Sequence, residues 1–111
     1  MIRVATLYRD LAVRMDELRA NHGAVERSRQ VVIDAMAGGE AHYGINTGFG
    51  VLANRRIEDN QLAELQQNIL LSHACGVGDP VPPEITRLML QLKSHALGLG
   101  NSGISKTTFR Q

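Results

Sequence analysis

The amino-acid sequence predicts a mainly α-helical protein that also carries one glycine-rich loop. Apolar residues recur every three or four positions in four separate stretches, which is typical of helices with one buried face. Helix-ending residues, chiefly glycine, follow these stretches. Alternation of the kind that marks strands is limited to a possible extended pair near Tyr43. At 111 residues the chain has the length of one domain.

The first two predicted helices lie before residue 40. The first carries apolar residues at helical spacing: Leu7, Leu11, Met15 and Leu18. Asn21-His22-Gly23 supplies its stop signal. The second spans residues 24–37, is ended by Gly38-Gly39, and is expected to turn these side chains inward: Val25, Val32, Ile33 and Met36.

Two further helices follow the glycine-rich loop. Asp59 is the expected N-cap of the third helix, whose apolar positions are Leu62, Leu65, Ile69 and Leu70. Gly76 to Pro80 breaks that helix. Pro83 suits the first position of the fourth helix, which closes at Gly98 or Gly100. Its apolar stripe comprises Ile85, Leu88, Met89, Leu92 and Ala96.

The composition narrows the possible classes of protein. A net charge of +1 gives no electrostatic case for binding nucleic acid or an anionic membrane. The single cysteine, Cys75, suits a reducing cytoplasm, and no stretch resembles a signal peptide or a membrane span. We expect no metal site, because His73 and Cys75 lie two positions apart and the other histidines lack ligand spacing.

The segment from Tyr43 to Gly50, YGINTGFG, is the most informative part of the sequence. Its three glycines exclude a helix interior and favour a backbone with positive φ angles, or one that another group approaches closely. A phosphate-binding loop is a weak alternative, because no Lys-Ser/Thr pair follows the glycines and no strand precedes them.

YGINTGFG resembles a signature of the aromatic amino-acid ammonia-lyases. Two later blocks, LQQNILLSHACGVG and RLMLQLKSHALGLGNSGI, resemble the next blocks of that family, and the likeness covers residues 24–104. It implies that residues 1–104 are the amino-terminal part of a lyase, a partial domain of its helical fold with the loop at the active site. Residues 105–111 look like a divergent or truncated tail, produced by a frameshift, a premature stop or an artificial boundary.

The resemblance assigns chemistry to the loop. Enzymes of this family remove ammonia and a β-hydrogen from an amino acid, with a methylidene-imidazolone electrophile that forms from an internal Ala-Ser-Gly. Tyr43 matches the family's catalytic tyrosine, and Gly50 would let the backbone approach the substrate. Because a free phenol has a pKa of about 10, such a base needs positive charge or hydrogen-bond donors nearby. The alternative is a tyrosine whose ring packs while its hydroxyl meets solvent.

Ser72 and His73 fall at the two positions where family members differ by substrate. A Ser-His pair resembles the members that convert L-histidine to urocanate and ammonia in histidine catabolism, since an imidazole substrate needs polar partners. An ammonia-lyase or aminomutase acting on tyrosine or phenylalanine is the alternative within the enzymes. For His73 alone, ordinary solvation on a helix surface is the competing interpretation.

The electrophile's precursor is missing from this sequence. No Ala-Ser-Gly occurs in it, and Asn101-Ser102-Gly103 has asparagine where alanine is required. We therefore expect this carbon-nitrogen lyase segment to be inactive alone, even though the resemblance implies a homotetramer with L-histidine as substrate. The competing class is a non-catalytic helical interaction protein that docks on an intact lyase.

Overall fold

The computed structural model describes residues 2–111, with every side chain in that range except those of Leu52 and Asp59. Its helices in chain order are α1 (Leu7–Ala20), α2 (Gly23–Ala37), α3 (Asp59–His73), α4 (Pro83–Gly98) and α5 (Lys106–Phe109). Short 3₁₀ turns form at Val4–Thr6 and Gly50–Leu52. The only strand-like pairing in residues 2–111 is an isolated bridge between Thr47 and Arg56. The prediction of a mainly α-helical fold is confirmed.

The chain divides into two compact units, which are described separately. The first runs up to Val31 and resumes at Pro80–Gln111, and the second is Val32–Asp79. In the first unit α1 packs against α4. Its fully enclosed apolar side chains are Leu11 and Val25, with Leu18 nearly so, as their helical spacing predicts.

The end of α4 approaches α1 and α2 very closely. A side chain at Gly98 would collide with Leu18 of α1, and one at Gly100 would lie 2.5 Å from the Ala24 carbonyl oxygen. Gly100 also has φ +79°, a conformation that only glycine adopts at little cost. Arg14 donates to the Gly98 carbonyl oxygen at 3.3 Å and so satisfies one acceptor at the helix end.

Residues 105–111 form a short helical tail that contacts the start of α2. Ser105 caps α5 by accepting a hydrogen bond from the Thr108 N–H at 3.2 Å. Lys106 forms an ion pair with Glu26, and the Phe109 ring meets His22 edge-to-face at 5.9 Å between centroids. The tail therefore adds ordered contacts to the first unit.

The second unit buries mostly polar side chains. Leu62 of α3 is its one buried apolar residue among those described, whereas Asn46 and Thr47 of the loop are 1% and 2% exposed. Asp59 is the first residue of α3 rather than its N-cap. That position belongs to Glu58, whose side chain makes no capping hydrogen bond.

Several side chains that were expected to face inward are exposed. Ile33 and Met36 of α2 are 46% and 37% exposed, and Leu70 and Met89 are more open still. Periodicity identifies the apolar face of a helix but does not supply the surface that covers it. The inward expectation is wrong at these positions, because no part of the described chain covers them.

We expect Gly100→Ala to destabilise the first unit strongly. The left-handed backbone alone costs about 1–2 kcal/mol for alanine, and the collision with Ala24 adds to this cost. Gly78→Ala is the control, because Gly78 has φ +91° but open space around it. Thermal unfolding followed by circular dichroism measures both variants. Equal losses in the two variants would contradict the close approach at Gly100.

Attachment of the tail should weaken in acid. The Lys106 hydrogen bond and charge, with a smaller contribution from His22, hold the pKa of Glu26 below its ordinary value of 4.5. Its stabilising effect is therefore complete above pH 4.5 and is lost as the pH falls through the lowered pKa. NMR amide shifts of the tail, recorded against pH, should show this loss. They should show no such step in Glu26→Gln.

Candidate functional site

The glycine-rich loop is held by hydrogen bonds that satisfy its backbone. The Ile57 N–H donates to the Asn46 carbonyl oxygen at 2.9 Å, and the Gly48 N–H donates to the Arg55 carbonyl oxygen at 3.2 Å. Arg56 donates to the Gly39 carbonyl oxygen at 2.9 Å, just beyond the end of α2. The loop is thus an ordered support rather than a simple linker.

Tyr43 stands at the head of this loop with most of its side chain exposed. Its ring meets Phe49 edge-to-face, with centroids 5.8 Å apart and planes inclined by 68°. In the described part of the chain no group is hydrogen-bonded to its hydroxyl, which therefore remains available to a ligand. The ring is oriented by packing, while the reactive oxygen is open.

Two of the loop glycines adopt the positive φ angles expected from the sequence. Gly44 has φ +76° and Gly50 has φ +59°. Nothing lies within 4 Å of a side chain built at Gly50, so its backbone is open to an approaching group. Glycine is needed at position 50 because of this positive φ angle. The lack of a side chain also leaves the backbone accessible to a ligand.

Ser72 and His73 form the last turn of α3 and are exposed. The Ser72 hydroxyl donates to the Ile69 carbonyl oxygen at 3.0 Å, and His73 Nδ1 lies 2.9 Å from the same oxygen. Because a carbonyl oxygen only accepts, we assign the hydrogen to Nδ1. His73 Nδ1 also lies 2.9 Å from Ser72 Oγ. In the neutral imidazole with this tautomer, His73 Nε2 is a hydrogen-bond acceptor for a ligand.

The structure brings Tyr43, Asn46, Phe49 and Gly50 into one loop but does not join them to the end of α3. Within residues 2–111, no hydrogen bond or ring contact links Tyr43 to Ser72 or His73. A cavity of about 460 Å³ lies in the first unit, between α1 and the tail, and contains none of these residues. The choice of site therefore rests on the chemistry of its side chains rather than on concavity.

The comparisons with known proteins identify the class of this protein. The family model described as aromatic amino acid lyase matches residues 2–111, and the chain belongs to that family. The matched range includes the tail, whose assignment as divergent stays a prediction.

The relatives that the chain resembles belong to one kind of enzyme within this family. The chain is 47% identical to a histidine ammonia-lyase of Roseobacter denitrificans and 49% identical to those of Burkholderia mallei and Burkholderia pseudomallei. Each likeness covers 87 residues, which is 78% of this chain. The matching stretch spans 17% of the length of each of these relatives.

The family's methylidene-imidazolone does not fit the nearest tripeptide of this chain, Asn101-Ser102-Gly103. Closing such a ring requires the nitrogen of the third residue. Here the Gly103 N–H donates to Ser28 Oγ at 2.8 Å, and the Gly103 carbonyl oxygen accepts from Arg29 at 3.3 Å. These bonds give the segment a structural role in the first unit.

Two further properties of the described residues bear on function. No cluster of three potential metal ligands occurs among them. No helix in residues 2–111 is both long and apolar enough to cross a membrane. Sequence reasoning overlooked Asn46, although asparagine is common in turns because its side chain bonds to nearby backbone.

The contact with Phe49 should control the environment of the Tyr43 ring. Phe49→Leu removes the aromatic edge, so we expect the NMR ring signals of Tyr43 to shift. Tyr8, which lies on α1 in the first unit, is an internal control in the same spectrum. Unchanged Tyr43 signals, or equal changes in both tyrosines, would contradict the contact.

Proposed function

We propose that this chain is the part of a histidine ammonia-lyase that carries the base and a substrate-recognition residue pair. The observation that supports it best is the ordered YGINTGFG loop, which presents an open tyrosine hydroxyl beside its packed ring. The relatives named histidine ammonia-lyase point to the same reaction. That reaction is the loss of ammonia from L-histidine to give urocanate.

In this proposal Tyr43 removes the β-proton of the substrate. To act as this base Tyr43 must first have lost its phenolic proton, so that the phenolate oxygen accepts the β-proton and becomes the neutral hydroxyl. No described side chain covers that oxygen, and the Phe49 ring limits rotation of the phenol. Gly50 lets the substrate approach the backbone. The family's methylidene-imidazolone would supply the electrophile that makes the amine a leaving group, and the sequence of this chain contains no Ala-Ser-Gly from which to form it.

Ser72 and His73 would recognise the imidazole of the substrate. With hydrogen on Nδ1, His73 Nε2 accepts a hydrogen bond from a ring N–H, and the Ser72 hydroxyl adds a second polar contact. A site with these groups discriminates against a benzene ring, which would leave them unpaired. This supports L-histidine over phenylalanine as the substrate, and the relatives named histidine ammonia-lyase support it over tyrosine.

The proposal extends to assembly and location. The tyrosine loop would work beside an electrophile from another subunit of a homotetramer, and the single cysteine suits the cytoplasm. Docking of this chain on an intact lyase, without catalysis, is the competing function. We expect the purified 111-residue chain alone to form no urocanate.

A hybrid enzyme tests the proposal. The stretch of the Burkholderia mallei histidine ammonia-lyase that matches this chain is replaced by the corresponding 87 residues. We expect the hybrid to form urocanate, measured by ultraviolet absorbance. We expect Tyr43→Phe to lower its kcat by about 10²–10⁴-fold, the usual contribution of a general base.

The hybrid also separates the alternatives. Activity on L-tyrosine or L-phenylalanine, but not on L-histidine, would refute histidine as the substrate and favour a lyase that acts on those amino acids. An assembled tetramer without any lyase activity would refute catalysis by this segment and leave the docking function. Full activity of the Tyr43→Phe hybrid would refute only the proposed role of Tyr43 and leave the rest of the proposal standing.

A further inference from the structure

The side chain of Asn46 is buried inside the loop that carries Tyr43. Its Oδ1 accepts a hydrogen bond from the His42 N–H at 2.7 Å, and its Nδ2 donates to the Glu40 carbonyl oxygen at 2.8 Å. An N–H only donates and a carbonyl only accepts, so the two contacts fix the orientation of the amide. With 1% exposure, no water replaces either bond easily.

These bonds act on the residues next to Tyr43. The chain passes Glu40 and His42, turns through Tyr43, Gly44 and Ile45, and returns to Asn46. The Asn46 side-chain amide thus joins the end of the turn to its beginning. A backbone hydrogen bond of 3.2 Å from the Asn46 N–H to the His42 carbonyl oxygen connects the same two ends.

The loop is in turn fixed to the stretch before α3. The Asn46 carbonyl oxygen accepts from the Ile57 N–H, and the neighbouring Thr47 bridges to Arg56. Thr47 is also buried, and its hydroxyl donates to the Gly48 carbonyl oxygen at 3.0 Å. Asn46 is therefore one of the residues through which the turn carrying Tyr43 is attached to a second segment.

We propose that Asn46 is a positioning residue for the lyase reaction, which sets the place and direction of the Tyr43 hydroxyl without touching the substrate. This inference rests on the proposed function. Only an amide of this length both accepts from His42 and donates to Glu40. Aspartate keeps the acceptor and loses the donor, while alanine loses both. A comparison of the two variants therefore separates the effect of the hydrogen bond from His42 from the effect of the hydrogen bond to Glu40.

The first test uses the 111-residue chain itself. In Asn46→Ala we expect loss of the NMR cross-peak between the Tyr43 and Phe49 rings, and faster hydrogen exchange of the His42 amide. Asn46→Asp should recover the His42 protection, because Oδ1 is retained. Asn54→Ala is the matched control, since Asn54 is exposed in the same segment. An intact cross-peak in Asn46→Ala would overturn the proposal.

The second test uses the hybrid enzyme and distinguishes positioning from folding. In the assembled Asn46→Ala hybrid, kcat should fall by about 10²-fold with KM unchanged, because misplacing a reacting group by about 1 Å has that effect. Asn46→Asp should restore part of kcat, and Asn54→Ala should leave it unchanged.

Each outcome of these tests has a distinct meaning. A raised KM with unchanged kcat, or unchanged kinetics, overturns the positioning role while the proposed function stands. An inactive parent hybrid refutes the proposed function, and the cross-peak then decides whether Asn46 orders the turn. If the Asn46→Ala hybrid fails to assemble, the cross-peak in the 111-residue chain decides the positioning role as well.

Discussion

The structure depends on side chains that satisfy backbone groups where regular helix hydrogen bonding stops. Buried backbone N–H and carbonyl groups need partners, and the ends of helices leave several without any. Arg14 serves the end of α4 and Arg56 serves the residue beyond α2. Asn46 does the same for the loop. With few aromatic residues to enlarge its core, the chain relies on such bonds between distant segments to fix where its helices begin and end.

The same constraint explains which parts of the fold could be predicted from the sequence. The bounds of α1, α2 and α4 follow from apolar spacing and from glycine or proline at their ends, so local sequence is sufficient. The partners of Gly98 and Gly100 lie more than 70 residues away, and no local pattern reveals them. Nor does any local pattern reveal that Ile33 and Met36 remain exposed. Burial depends on which surfaces meet, which periodicity does not encode.

The candidate site shows a similar division. Resemblance predicts roles for Tyr43, Ser72 and His73 because their chemistry is carried by residue type within a motif. It gives no information on hydrogen bonding, such as the shared Ile69 carbonyl oxygen that favours an acceptor at His73 Nε2. It also overlooks Asn46, whose role lies in two bonds rather than in reactivity. A residue that acts through the backbone becomes visible only once the turn is folded.

The tail shows how little sequence is needed to order a short segment. A four-residue helix is far too short to be stable alone. Here Ser105 caps it, Lys106 pairs with Glu26, and Phe109 packs on His22, so each contact offsets part of the entropy lost on ordering. Glu26 lies in the first turn of α2 and His22 directly precedes the helix, while Gly103, just before the tail, is bonded to Ser28 and Arg29 of α2. The tail therefore folds onto the first unit, because the start of α2 and the residue before it already present a charge and a ring at the spacing that the tail requires.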